Sequence, residues 1–318
     1  MKAAWWIWGL AVVTTLVFAA PAGAEEEKQV KMLMLGDSVT KRGMPEAVQG
    51  PLNELTRGQA RWTLVNAGVD GETAEGGKAR LAKLLDAEKP DVVTIGYGLN
   101  DTGQKHSPDR FRGNMLAILD LIQKHTPAAK IILLTTTPLD ESRHFLGKDK
   151  SFVDQGGIDL LLELKYNSIT RRMAAEKNLS LIDLHRQFMA DKGWTKYLLP
   201  DGAHLTKEGY AFSGKYLAET LAAWYAAGAR NGSKAAETRD KMADRLKKVA
   251  AAAGEAKNAE ARRKVLADLD EIWRACPYLP GQAVVWQAVY YYGKSADAAK
   301  EPQPVTAQSA VQPELKGK

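Results

Sequence analysis

The sequence predicts an α/β fold in which a parallel sheet is covered by helices on both faces. From Val30 to Ala227, short and nearly continuous apolar runs alternate with amphipathic stretches of helical period. Strands that are apolar on both sides need cover on both sides, and their alternation with helices points to parallel crossover units. The predicted strands are 30–35, 62–66, 91–96, 130–135 and 179–183. The predicted helices are 44–57, 73–88, 108–125, 158–177 and 206–227. Pro90 and Pro127 punctuate two of the helix-to-strand links. Segment 138–157 has no period and is long for such a connection, so it reads as a loop over a binding site.

Beyond Arg230 the character changes. Residues 234–252 and 258–276 are Ala-, Lys- and Arg-rich with helical spacing, and Val265, Leu266, Leu269, Ile272, Trp273 and Cys276 share one face. Pro277 and Pro280 bracket a turn, and Val284 to Tyr292 forms a further apolar helix. Residues 230–300 are thus expected to be a helical appendage to a main domain at 25–229, and the Pro- and Gln-rich residues 301–318 a disordered tail. At the other end, Lys2, the apolar run Ala3–Ala20 and Ala22-Gly23-Ala24 before Glu25 describe a secretory signal peptide over 1–24. The mature chain is therefore expected to be secreted or periplasmic, with no integral membrane span once the signal is removed.

Composition narrows the chemistry. The single cysteine, Cys276, excludes an internal disulfide and thiolate zinc clusters. The net charge of +6 is carried almost wholly by residues beyond 228, while 25–228 is balanced. A neutral main domain argues against nucleic acid as its substrate. The basic extension is left as a solvated face, or as a region for weak contact with anionic surfaces. Gly-x-Ser-x-Gly, His-Glu-x-x-His and Walker-type loops are all missing from the sequence, and no cofactor or metal is called for.

In an open parallel sheet, ligands bind beyond the carboxyl ends of the strands. Strand 30–35 exits into Gly36-Asp37-Ser38, and strand 62–66 into a Gly-rich turn, Ala67 to Thr73. Strand 91–96 leads to Gly98-Leu99-Asn100-Asp101, and Asp201-Gly202-Ala203-His204 precedes the last helix. These types answer the needs of acyl transfer. A Ser hydroxyl needs an imidazole to take its proton, the imidazole needs a carboxylate to orient it, and the developing oxyanion needs fixed donors. The backbone N–H groups of Ser38 and Gly71 and the amide of Asn100 can be those donors. Taken alone, Ser38 reads better as a helix N-cap than as a nucleophile. Asp37 and Asp101 read as turn residues, and His185, in Asp183-Leu184-His185, as structural.

Four stretches in order, Gly36-Asp37-Ser38-Val39-Thr40, Asn66 to Thr73, Gly98 to Asp101 and Asp201 to His204, resemble the sequence blocks of the SGNH, or GDSL, hydrolase family over residues 30–227. The resemblance implies a flavodoxin-like three-layer α/β/α sandwich. It implies Ser38 as nucleophile, His204 as general base, Asp201 as its orienting carboxylate, and Ser38, Gly71 and Asn100 as oxyanion donors; Gly68 competes with Gly71. It also implies an ester hydrolase working through an acyl-enzyme. Export, with Arg143 and His144 on the polar segment 138–157 as substrate contacts, points to short-acyl esters of carbohydrates. Lysophospholipase- or thioesterase-like activity, O-acyl transfer and a non-catalytic glycan-binding role stand as alternatives.

Overall fold

The computed structural model describes residues 27–229, 233–256 and 258–292; the expected signal peptide and the expected disordered tail lie outside them. Five parallel strands, β1 (Lys28–Gly36), β2 (Ala60–Gly68), β3 (Val92–Gly96), β4 (Lys130–Leu134) and β5 (Ser180–Ile182), form one sheet in the order β2-β1-β3-β4-β5. This is the flavodoxin-like order. It reverses direction between β1 and β3, where crevices form at the carboxyl edge. Gly36, the last residue of β1, pairs with Gly68 of β2 on one side and with Gly96 of β3 on the other.

Alternation along β1 distributes its side chains between two cores. Leu33 and Leu35 pack with Leu81 and Leu85 of α3 (Ala74–Glu88) and with Phe111, Met115 and Ile118 of α5 (Pro108–His125). Met32 and Met34 face the other way, toward Val48 and Leu52 of α2 (Met44–Leu55) and Leu217 and Leu221 of α10 (Lys207–Ala229). The two faces give the three layers expected of a flavodoxin-like sandwich, to which the C-terminal helices are added.

Those helices, α11 (Lys234–Glu255), α12 (Ala259–Ala275) and α13 (Gln282–Gln287), make a third core around Leu246, Val249, Leu269, Ile272 and Trp286. They also grip the sandwich. Tyr278 O accepts the N–H of Leu181 at 3.3 Å, covering part of the edge strand β5, where an exposed edge would invite foreign pairing. Trp273 Nε1 donates to Tyr216 Oη at 2.9 Å, and Gln287 Nε2 donates to Glu163 O at 3.0 Å.

Segment 138–157 is more ordered than its sequence suggests. It holds a 3₁₀ turn at Phe145–Lys148 and a short helix α6 (Lys150–Val153), capped by the side chains of His144 and Asp149 respectively. The helix expected at 158–177 is broken by a π-turn at Leu162–Asn167, between α7 (Ile158–Leu161) and α8 (Ser168–Glu176).

Candidate active site

Ser38 opens the single-turn helix α1 (Ser38–Lys41) directly after β1. Asp37 caps it, its Oδ1 accepting the N–H of Val39 at 2.9 Å. The turn sits tightly on β2: a Cβ on Gly68 would fall 2.3 Å from the backbone nitrogen of Lys41. Gly68 is thus required by packing. Gly71, in contrast, has φ +72° with open space where a Cβ would be, and its carbonyl accepts Gln104 Nε2 at 3.2 Å. The close approach at Gly68 and the open left-handed turn at Gly71 separate the two glycines that compete in the sequence.

Asn100 lies in α4 (Leu99–Gly103), after the left-handed Gly98. Its amide Nδ2 donates to Glu72 O at 3.1 Å and faces Asp37 Oδ2 at 3.5 Å, which ties the β3 exit to the exits of β1 and β2. Asp101 reaches beyond its own turn: its Oδ2 accepts the N–H of Ala74 at the start of α3 at 3.1 Å, its Oδ1 lies 3.4 Å from His106 Nδ1, and its carbonyl accepts the His106 N–H at 2.9 Å.

The fourth stretch reaches the same place from the far end of the domain. Asp201 Oδ1 accepts the backbone N–H groups of Ala203 and His204, each at 3.0 Å. Its Oδ2 lies 2.7 Å from His204 Nδ1, and His204 Nε2 lies 2.9 Å from Ser38 Oγ. A carboxylate can only accept, so Nδ1 carries the proton and Nε2 accepts from the serine hydroxyl. Partial burial pushes the Asp201 carboxyl up, but the Ala203 N–H, the His204 ring and the His204 N–H outweigh it and hold it down at about 2. Asp201 therefore stays ionised across the neutral range. Gly202 makes the loop feasible: at φ +72° it passes so close to segment 138–157 that a Cβ would sit 2.5 Å from Asp140 O.

A cavity of about 300 Å³ opens over Ser38 and His204. Its wall is mainly apolar, with Leu99, Leu139, Phe145, Leu146 and Ile158, and sequence reasoning singled out none of these. Phe145 is 82% exposed and packs against the His144 ring at 4.6 Å. His144 lines the cavity. Burial lowers its pKa, with Asp201 opposing and His204 adding to the shift, and its Nδ1 accepts the N–H of Leu146 at 3.3 Å. Arg143 does not line the cavity. Its guanidinium is committed to Asp140 Oδ2 at 2.7 Å and to the carbonyls of Thr195 and Leu198, pinning the segment to the loop before Asp201.

The fold is of the doubly wound α/β class, and it places the cavity at the carboxyl edge of the parallel sheet, beside its switch point. Comparison with known proteins gives the family. Residues 34–212 match the GDSL-like lipase/acylhydrolase family, and the chain belongs to it as an esterase of the SGNH type. Over 222 residues it is 26% identical to a Bacillus subtilis protein named as the lipoprotein YqeF, covering 64% of this chain and 86% of that one. It is 24% identical to an arylesterase of Vibrio mimicus, covering 65% and 96%. Among solved structures, a lipase/acylhydrolase from Enterococcus faecalis superposes with a TM-score of 0.49 at 26% identity, over 61% of this chain and 95% of that one. Helices α11–α13 lie outside the matched residues.

Proposed function

We propose that the protein is an exported serine esterase that cleaves carboxylic esters through an acyl-enzyme on Ser38. The observation that carries this reading is the unbroken run of contacts from Ser38 Oγ through His204 to Asp201 at the floor of a cavity. Ser38 Oγ attacks the ester carbonyl carbon while His204 Nε2 takes its proton. Asp201 holds the imidazole in the required tautomer and stabilises the imidazolium. The N–H groups of Ser38 and Gly71 and the amide of Asn100 stabilise the oxyanion. For this, Asn100 gives up its long contact to Asp37 and keeps the one to Glu72. His204 returns the proton to the departing alkoxide as the carbonyl–oxygen bond breaks. Water then attacks the acyl group, giving its proton to His204, and Ser38 is released with that proton.

The apolar wall of the cavity favours an ester with a hydrophobic acyl or aryl part over an acetylated sugar, because Gln104 and His144 are the uncharged polar side chains it offers beyond the proposed machinery. Hydrolysis of p-nitrophenyl esters from acetate to palmitate tests both levels. Ser38→Ala should lose at least about a thousandfold in kcat, since removing a triad member costs that much or more. Wild-type kcat/KM should peak beyond acetate. An acetate optimum returns the carbohydrate reading, and an active Ser38→Ala overturns the mechanism. Arg143→Ala should change kcat/KM by less than about threefold, and a larger change restores it as a substrate contact. N-terminal sequencing of exported protein should begin at Glu25.

A further inference from the structure

The C-terminal helices create a second cavity, of about 350 Å³, that shares no lining residue with the one over Ser38. Its walls are Arg186 and Met189 from α9 (Leu184–Met189), Leu266, Asp270 and Trp273 from α12, and Trp286 with Tyr290 at the end of the described chain. We propose that it is a binding site for a small sugar carrying an oxyanion, a carboxylate or a phosphate.

Three independent features lead there. The first is Arg186, whose side chain is only 3% exposed. Its guanidinium is held between the rings of Trp273, at 4.6 Å, and Trp286, at 4.9 Å, and Nη2 pairs with Asp270 Oδ1 at 2.6 Å. Nη1 is buried with no hydrogen-bond partner among the described residues. A buried cationic N–H left unpaired is costly, and an acceptor oxygen in the adjoining cavity that Arg186 lines would complete it.

The second feature is charge. Asp270 is already neutralised by Arg186, and the exposed Arg274 stands at the rim, so the lining carries a surplus positive charge that suits an anion and rejects a cation. The third is shape. Trp273 and Tyr290 are half-buried, and Tyr290 stacks on the buried Trp286 at 4.8 Å and 18° between planes, so that Trp273 and Tyr290 offer the aromatic surface of the cavity. Such walls pack against the C–H face of a sugar ring, while the rim and Arg186 supply the polar contacts. A plain acyl chain would leave Nη1 unpaired, so it is disfavoured. The walls from α12 and α13 lie beyond the family-matched residues, which makes the site a property of this chain's extension.

Titration calorimetry and tryptophan fluorescence on the mature chain test this, with trigalacturonic acid, glucose 6-phosphate and glucose as probes. One of the anionic probes should bind saturably, and glucose at least tenfold more weakly; whichever anion binds tells carboxylate from phosphate. Binding should survive Ser38→Ala, weaken at least tenfold in Arg274→Glu, and vanish in Leu266→Trp, which fills the cavity from a half-buried position. Should Leu266→Trp not fold, Arg274→Glu decides alone. Failure of both anions to bind, equal binding of glucose, indifference to Arg274→Glu, or loss of binding in Ser38→Ala each overturns the proposal. None of these outcomes touches the esterase reading.

Discussion

Two Asp–His pairs, one spaced by three residues and the other by two, meet opposite fates in this chain. In Asp201-Gly202-Ala203-His204, the carboxylate is 47% exposed and the imidazole 21% exposed, and the ring reaches a serine. In Asp183-Leu184-His185, both side chains are buried. Asp183 there takes two hydrogen bonds from the fully buried Arg171, at 2.8 and 3.0 Å, and another from Thr135 at 2.9 Å. His185 Nδ1 lies 3.2 Å from Glu163, which also binds Arg171. The residue types are alike, but the partners differ. A carboxylate saturated by a guanidinium is fixed in place, and its neighbouring imidazole has no hydroxyl to activate. The first pair keeps one free task at an open cavity. Reactivity here is a matter of which valences are left unspent and where water and substrate can come.

The sharpest way to break this comparison is to delete each histidine in turn. His204→Ala should lose at least about a thousandfold in kcat while the unfolding midpoint in denaturant stays within error. His185→Ala should do the reverse, leaving kcat/KM within about threefold and lowering stability, because Glu163 loses a buried partner. Burial works against the charged His185 ring, yet Glu163 and Asp159 outweigh it and raise its pKa. A raised histidine pKa contributes stability that is full below the unfolded value and is lost as pH rises through the folded one. The gap between wild type and His185→Ala should therefore narrow toward alkaline pH. If both variants lose activity alike, the two pairs are not functionally distinct.

Next in size is Arg171→Met. Removing one partner of a buried ionic cluster leaves the others uncompensated and costs about 3–5 kcal/mol. Glu163 and Asp183 would then lose the guanidinium they share, and a urea titration reads the loss. A cost below about 1 kcal/mol would mean that the cluster is not the dry, mutually dependent unit its burial implies.

The two regions also differ in how far the sequence foretold them. The sandwich was legible because Leu33, Leu35, Val93 and Ile95 belong to apolar runs whose only economical arrangement is a covered parallel sheet. The meeting of Ser38, Asn100 and the Asp201–His204 pair was legible because strand exits converge in such a sheet. The ionic cluster was not. Glu163 and Arg171 sit in what reads as one amphipathic helix, and the π-turn at Leu162–Asn167 falls within that stretch, a local irregularity that 3.6-residue periodicity does not encode. The bonds of Arg143 to the carbonyls of Thr195 and Leu198 were not legible either, because a polar side chain in a loop carries no sign of its partners. The apolar cavity wall escaped because Leu99, Leu139, Phe145 and Ile158 come from separate segments with no shared period.

Asp37 tests the comparison from between its poles, being as buried as Asp183 yet lacking a cation and lying next to the nucleophile. Burial raises its pKa from 3.8 to about 7; the Val39 N–H opposes this, and the negative charges of Asp101 and Glu72 add to it. The folded protein thus holds a proton that the unfolded chain has already released between pH 3.8 and about 7. Stability attributable to this group falls as pH rises through that window. Asp37→Asn keeps an oxygen for the Val39 N–H and has nothing to ionise. Its stability relative to wild type should rise by about 2–4 kcal/mol on going from about pH 4 to pH 8, measured by urea unfolding at each pH. A constant difference would show that Asp37 is ionised in the fold at neutral pH. The oxyanion site would then sit beside a permanent negative charge, and Asn100 would be held by that carboxylate more firmly than its 3.5 Å contact suggests.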